Sequence, residues 1–294
     1  LKSASNILIS DTSLESIDGF SALKTVDSFN INNNRYLTSV KASLSTVSNA
    51  LELGFNGQNT ALSFDELIWA NNITLSSVAN VSFANLQNVN ASLGFINNTF
   101  SSLSVDQLKS VGQTFTISSN DDLDSVSFKN LTSIGGGFVI ANNTNLKTID
   151  TFSEVTTIGG ALNVIGNFST LDLSSLKSVR GVADVETSAS NFSCDALKKL
   201  QNKGAIQGDK FVCKNGAVSS SSSSVSHTSS GSSSGSKAHS STTSGSATGS
   251  DSSSSTASIK TSKSSKSKGA AAVGYTIPQA SVFGLLTAVL SALL

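Results

Sequence analysis

The sequence has 294 residues and a balanced formal charge, 19 Lys and Arg against 19 Asp and Glu. Residues 1–218 hold 14 Lys and Arg against 18 Asp and Glu, a mildly acidic body without the basic stripe that a nucleic-acid partner needs. Both histidines, His227 and His239, lie in a Ser-rich stretch, so the patterned body has no imidazole for a Ser-His-Asp relay, a thiol-protease pair or a His-ligated metal.

The chain starts at Leu1 and contains no Met, and its own N-terminus and any secretory signal are expected upstream. Residues 1–217 read as a repeat. An apolar-x-apolar-x-x-Asn unit recurs as Phe29-x-Ile31 to Asn34, Leu51-x-Leu53 to Asn56, Leu67-x-Trp69 to Asn72 and Leu93-x-Phe95 to Asn98. Phe115-x-Ile117 then leads to Asn120, Phe138-x-Ile140 to Asn143 and Leu162-x-Val164 to Asn167, while Ile7-x-Ile9 is a partial copy with Thr12 at the Asn position. The step from Asn56 to Asn72 is short by several residues. Period-two alternation with β-branched inward positions predicts short strands. A unit of this size cannot bury its apolar face alone, so the units must stack into a solenoid.

Within such a stack the recurrent Asn is expected to bond backbone groups of its own and the next coil, forming an internal ladder of Asn34, Asn56, Asn72, Asn98, Asn120, Asn143 and Asn167. Gly135, Gly136, Gly137, Gly159 and Gly160 are expected at sharp corners. No P-loop Lys-Ser/Thr follows them. Trp69 takes an inward slot in this register, so it and the phased Phe residues read as core. Asp121, Asp122 and Asp124 read as a solvated turn without EF-hand spacing. No catalytic, cofactor-binding or metal-ligating residue is assigned, and the chain is read as non-enzymatic.

The repeat fades near Thr187, and the Cys194-to-Leu200 run reads as a short helix with Ser193 as cap and Gly204 as stop. Cys194 and Cys213 are expected to pair in an exported protein, so that the helix covers the open end of the stack.

Of residues 219–268, 33 of 50 are Ser or Thr, so 218–268 is expected to be a disordered, O-glycosylated stalk. Gly269, Ala270 and Ala271, a short spacer and an uncharged apolar terminus follow in the order of a GPI-attachment signal over 269–294, removed on maturation, with Gly269 as the attachment residue and Ser267 or Ala270 as alternatives. The expected location is the cell surface, at the outer leaflet of the membrane. Eight N-x-Ser/Thr sequons stand at Asn72, Asn80, Asn90, Asn97, Asn130, Asn142, Asn167 and Asn191. The ladder register makes Asn72 and Asn167 the less modified pair and turns Asn97 and Asn142 outward.

The repeats FVIANNTNLKTID and FTISSNDDLDSVSFKNLTSIGGG, the NFSCDALKKL segment, the Ser-rich stalk and KSSKSKGAAA together resemble the fungal GPI-anchored cell-wall organisation proteins, including the sporulation-wall type, and the receptor L domain. That resemblance implies a mainly β, right-handed parallel β-solenoid of leucine-rich-repeat character, located at the plasma membrane and cell wall, with a non-enzymatic part in wall integrity. It carries the family's basic residues before the anchor onto Lys266 and Lys268 and implies wall glucan or mannoproteins as partners. A receptor-like binding module and a wall-remodelling glycosidase with two spaced carboxylates stand as alternatives.

Overall fold

The computed structural model describes residues 1–216 and the backbone of Val218–Ser219. The stalk, both histidines, Lys266, Lys268, Gly269 and the apolar terminus lie outside the described residues. The described chain is a parallel β-solenoid with one short helix.

Its broadest sheet stacks Ser3–Ser10, Thr25–Asn32, Thr46–Gly54, Trp69–Leu75, Leu93–Ile96, Phe115–Ser118, Phe138–Ala141, Leu162–Gly166 and Ala183–Thr187 in chain order. Eight successive parallel pairings make eight turns, and Phe211–Asn215 adds one more parallel strand. After the Trp69–Leu75 strand each long strand splits in two. The earlier halves, Asn88–Val89, Ser110–Val111, Ser133–Ile134, Thr157–Ile158 and Ser178–Val179, continue the same sheet around a corner. Short strands such as Ser16–Phe20, Ser39–Ala42, Ala61–Ser63 and Asn80–Ser82 close a second side.

Alternation explains which side chains go inside. Phe29 and Ile31, Leu51 and Leu53, Leu93 and Phe95, and Phe115 and Ile117 are buried as read from the repeat. Burial of each such side chain favours the fold by about 1.5–3 kcal/mol, and only stacking makes it available. Phe115, Phe128, Phe138 and Phe152 form one aromatic cluster with centroids 5.0–5.7 Å apart.

The fourth unit is out of register with the sequence reading. Ile73 and Leu75, rather than Leu67 and Trp69, pair with Leu51 and Leu53, and Val78 takes the ladder position. Leu67 and Ala70 close the preceding unit, and Trp69, paired with Thr46, lies half-buried on the outside. The Leu67-to-Asn72 run matches the motif in letters while its side chains have the opposite phase.

The glycines also act differently from the expectation. Gly112, Gly135, Gly136, Gly159 and Gly160 stand at the corner between the sheet halves, yet none has positive φ. Their constraint is proximity: a Cβ on Gly135 would overlap the Gly112 carbonyl oxygen, and one on Gly159 the Gly135 carbonyl oxygen. The left-handed conformation belongs instead to Asp11, Asn33, Phe55, Ser77, Asn97, Ser119 and Asn142, each directly before a ladder position.

At the C-terminal end, helix Asp195–Asn202 sets Leu197 into the core, and Leu200 packs against it. Ser193 Oγ accepts the Asp195 N–H at 3.2 Å although Cys194 is the flanking cap residue, and Gly204 ends the segment with φ +74°. Cys194 is disulfide-bonded to Cys213, whose strand neighbour is Val185, so the covalent link fastens helix and last strand over the open coil. Replacing both cysteines with Ser is expected to lower stability by about 3 kcal/mol in the loop-entropy picture. Urea unfolding of the double variant against wild type measures this; an unchanged midpoint would show that the cap holds without its bond.

Candidate recognition surface and glycosylation sites

Five asparagines form an internal ladder in two runs, Asn34–Asn56 and Asn98–Asn120–Asn143, separated by Val78. Asn34, Asn56, Asn98, Asn120 and Asn143 are buried. Asn120 Nδ2 donates to Phe95 O and to Asn143 Oδ1, both at 3.0 Å, while its Oδ1 accepts from Asn98 N at 2.9 Å and Asn98 Nδ2 at 3.0 Å. Asn34 makes the same pattern with Ile9 O and Asn56 Oδ1, and Thr12 donates its N–H and hydroxyl to Asn34 Oδ1 at 3.0 and 2.7 Å. Asn, unlike Asp or Leu, offers donor and acceptor on one short planar group, which is what a coil-to-coil relay needs.

Asn72 and Asn167 are not in it. Asn72 lies on a strand, where its Oδ1 accepts the Ser92 N–H at 3.1 Å, and Val78 fills the ladder slot with its N–H given to Asn98 Oδ1. Asn167 is exposed, and Phe168 turns inward instead to meet Phe192 edge-on at 5.2 Å; between the Ala141–Ile165 and Thr148–Thr170 pairs the eighth coil is two residues shorter than the seventh, so the corner is built differently here. Of the other sequon residues, Asn80, Asn90, Asn97, Asn130, Asn142 and Asn191 are exposed, and Asn97 and Asn142 occupy left-handed corner positions. Sequon burial therefore separates Asn72 from the rest and no longer sets Asn167 apart.

From the fifth coil onward the strands of the broad sheet contain no sequon. Gly94, Thr116, Val139, Asn163 and Asp184 are successive partners on the sheet's outer surface, beside Ile96, Ser118, Ala141, Ile165 and Glu186. The side chains are mostly small. Thr116 Oγ1, Asn163 Oδ1 and Asp184 Oδ1 are buried without a hydrogen-bond partner, and each such group needs a reason. Burial pushes the Asp184 carboxyl up, with Glu186 adding to the rise; the positive charges of Lys210, at 3.9 Å, and of Lys214, itself 2.6 Å from Glu186, oppose it.

On the same surface, burial raises the pKa of Glu52, whose Oε2 accepts from Asn30 Nδ2 at 3.1 Å. A carboxyl raised by folding contributes most to stability below its unfolded pKa and loses that contribution as pH rises through its folded pKa. Glu52→Gln, neutral at every pH, is thus expected to melt above wild type at pH 7, with the gap closing as pH falls through the carboxylate range. Melting curves across that range test the sign; a gap that widens toward acid would contradict the burial effect.

Among the described residues no group of three or more His, Cys, Asp or Glu could hold a metal ion, and Asp121, Asp122 and Asp124 are exposed, Asp121 accepting from Thr144 Oγ1 at 2.8 Å. Sequence reasoning missed two positions: Val78, whose phase was hidden by the motif-like run before it, and Phe55, which the repeat places in a column otherwise made of Asp, Asn and Ser.

An Asn-laddered stack of parallel strands with a disulfide-fastened end and N-x-Ser/Thr sequons on exposed residues defines a repeat protein of the parallel β-solenoid class. The chain is 62% identical over 221 residues to the cell wall mannoprotein PST1 of Saccharomyces cerevisiae, covering 75% of this chain and 50% of that protein. It is 38% identical over 224 residues to the cell surface GPI-anchored protein ECM33 of Candida albicans, covering 76% and 54%, and 34% identical over 220 residues to sporulation-specific protein 2 of Saccharomyces cerevisiae, covering 74% and 44%. The protein belongs to this fungal GPI-anchored cell-wall family. The chain spans about half the length of the curated relatives it matches. No protein-family model and no solved structure matches it.

Proposed function

We propose that this protein is a non-enzymatic, GPI-anchored glycoprotein of the fungal cell surface that helps organise the wall. Membership of a family whose named members are a cell wall mannoprotein and a cell surface GPI-anchored protein carries this reading. In it Gly269 receives the lipid, 218–268 is the O-glycosylated stalk, and residues 1–217 are held outside the membrane. N-glycans stand on Asn80, Asn90, Asn97, Asn130, Asn142, Asn167 and Asn191, with half-buried Asn72 least modified. The partners are wall glucan or mannoproteins.

A receptor-like binding role is favoured by one observation: the strands of the broad sheet from Leu93–Ile96 to Ala183–Thr187 carry no sequon of their own, Asn97, Asn142 and Asn167 standing one residue past the ends of three of them. A wall component can approach the strands between those sugars.

The experiment treats intact cells carrying the complete protein with phosphatidylinositol-specific phospholipase C, alongside a Gly269→Gln/Ala270→Gln variant. Release of the wild type and intracellular retention of the variant support the anchor. Liberation by glucanase alone would place the protein on wall polymer, and release by neither would overturn the lipid-anchored reading. Glycopeptide mapping on the same material reads each sequon, and an unmodified Asn167 beside a fully modified Asn72 would contradict the assignment by exposure.

A further inference from the structure

Phe55 stands out twice. It is 69% exposed, and it holds φ +54° in a column where the equivalent residues are Asp11, Asn33, Ser77, Asn97, Ser119 and Asn142. Left-handed backbone is tolerated by Asn, Asp and Ser and is an outlier for a bulky side chain. Leaving a ring in water forgoes the burial that Phe29, Phe95, Phe115 and Phe138 achieve. A residue that carries both penalties points outward for a reason.

Its surroundings say what the ring could meet. The register fixed by Asn34 N to Asn56 Oδ1 at 3.1 Å and Gly57 N to Asn34 O at 3.1 Å sets Phe55 beside Asn33 and Gln58 beside Tyr36, one coil apart. Adjacent strands of a sheet are about 4.8 Å apart. Rings therefore occupy one diagonal of a small square and primary amides the other. Tyr36 is 52% exposed, with the Arg35 guanidinium carbon 5.2 Å from its ring centre. Gln58 and Asn59 are exposed, and Asn33 Nδ2 donates to Asp11, which turns its amide oxygen free for another donor.

We propose that this edge of the second and third coils, Tyr36 and Phe55 with Asn33, Gln58 and Asn59, is a stacking platform for a neutral hexose chain. The C–H face of a pyranose ring covers an aromatic ring, and its hydroxyls exchange hydrogen bonds with planar amides. Two rings separated by amides make too small an apolar area for a stable protein interface, which needs a contiguous desolvated centre. No sequon occurs in residues 1–71, so no sugar is attached to the second and third coils themselves; exposed Asn80, one coil on, pairs with Ala61 beyond the Gln58–Asn59 end of this edge. The platform rests on the wall reading only for the supply of such a polymer.

The test uses the complete protein, with linear gluco- and manno-oligosaccharides of graded length as probes and polygalacturonate as an anionic control, read by calorimetry and by saturation transfer to sugar C–H protons. Phe55→Asn and Tyr36→Gln should each weaken binding of a neutral oligosaccharide by roughly tenfold, the worth of one ring stacking. Phe55→Asn should also melt at or above the wild-type temperature, since Asn suits the left-handed position. Wild type that binds none of the neutral probes, or a Phe55→Asn variant that binds as wild type does, overturns the platform. A Phe55→Asn variant that melts lower shows a ring packed against another part of the complete protein, and also overturns it. Rescue of a deletion strain's wall defect by non-binding Phe55→Asn would sink the platform's role and leave wall organisation standing; failure of the wild-type gene to rescue would sink the latter instead.

Discussion

Replacing Asn120 with Ala is expected to lower the unfolding free energy by about 3–5 kcal/mol, since each buried polar group left unpaired costs about 1–3 kcal/mol. The change removes the acceptor for Asn98 N and Asn98 Nδ2 and the donor to Phe95 O, and it strands Asn143 Oδ1 with one partner fewer. These groups are sealed inside the stack, where water cannot replace the amide. The bonds run from coil to coil, so the loss should couple to the neighbours: Asn98→Ala and Asn120→Ala together should cost less than the sum of the two alone. Urea unfolding of both single variants and the double gives the cycle. Asn167→Ala, at an exposed corner, is the matched control and should stay within about 0.5 kcal/mol of wild type. Equal effects at Asn120 and Asn167 would contradict the ladder as drawn.

Gly135→Ala is expected to destabilise by about 3 kcal/mol or more, the upper range for forcing added atoms into a packed site. The new methyl would overlap the Gly112 carbonyl oxygen, and that carbonyl cannot yield alone, since it belongs to the backbone of the coil below. The Gly135 N–H itself donates to Val111 O at 2.8 Å, so the corner would have to open along two hydrogen-bonded strands. Gly137 provides the comparison two residues away: a Cβ there would have its nearest neighbour, Ala161 O, at an ordinary 3.7 Å. Gly137→Ala should therefore be neutral or slightly stabilising, because it narrows the unfolded ensemble. Thermal unfolding of the two variants decides the matter, and a Gly137→Ala loss as large as that of Gly135→Ala would show that chain entropy or strand geometry, rather than coil spacing, governs this corner.

Much of the fold was legible from letters alone. Phe29 and Ile31 before Asn34, and Phe115 and Ile117 before Asn120, repeat a phase that only stacked strands can bury, and the structure pairs those residues coil on coil. The cap was equally plain, because Cys194, the Asp195–Asn202 helix and Gly204 follow local rules of capping and helix termination. Asn72 was not legible: Leu67, Trp69 and Asn72 spell the motif, and only pairing with Thr46 and Val47 shows that Trp69 turns out and Ala70 turns in. A slip in phase is invisible in a run where apolar residues occur at both parities.

The sequence by itself determined that the patterned body is a stack of short-strand repeats with Asn recurring for polar satisfaction, because periodicity and local chemistry suffice for both. Only the tertiary structure decided which asparagines are inside, that the corner glycines answer to the carbonyl of the coil below, and that Phe55 is exposed on a left-handed corner. Those outcomes depend on what lies one coil away, about twenty residues distant in the chain and about 4.8 Å distant in space.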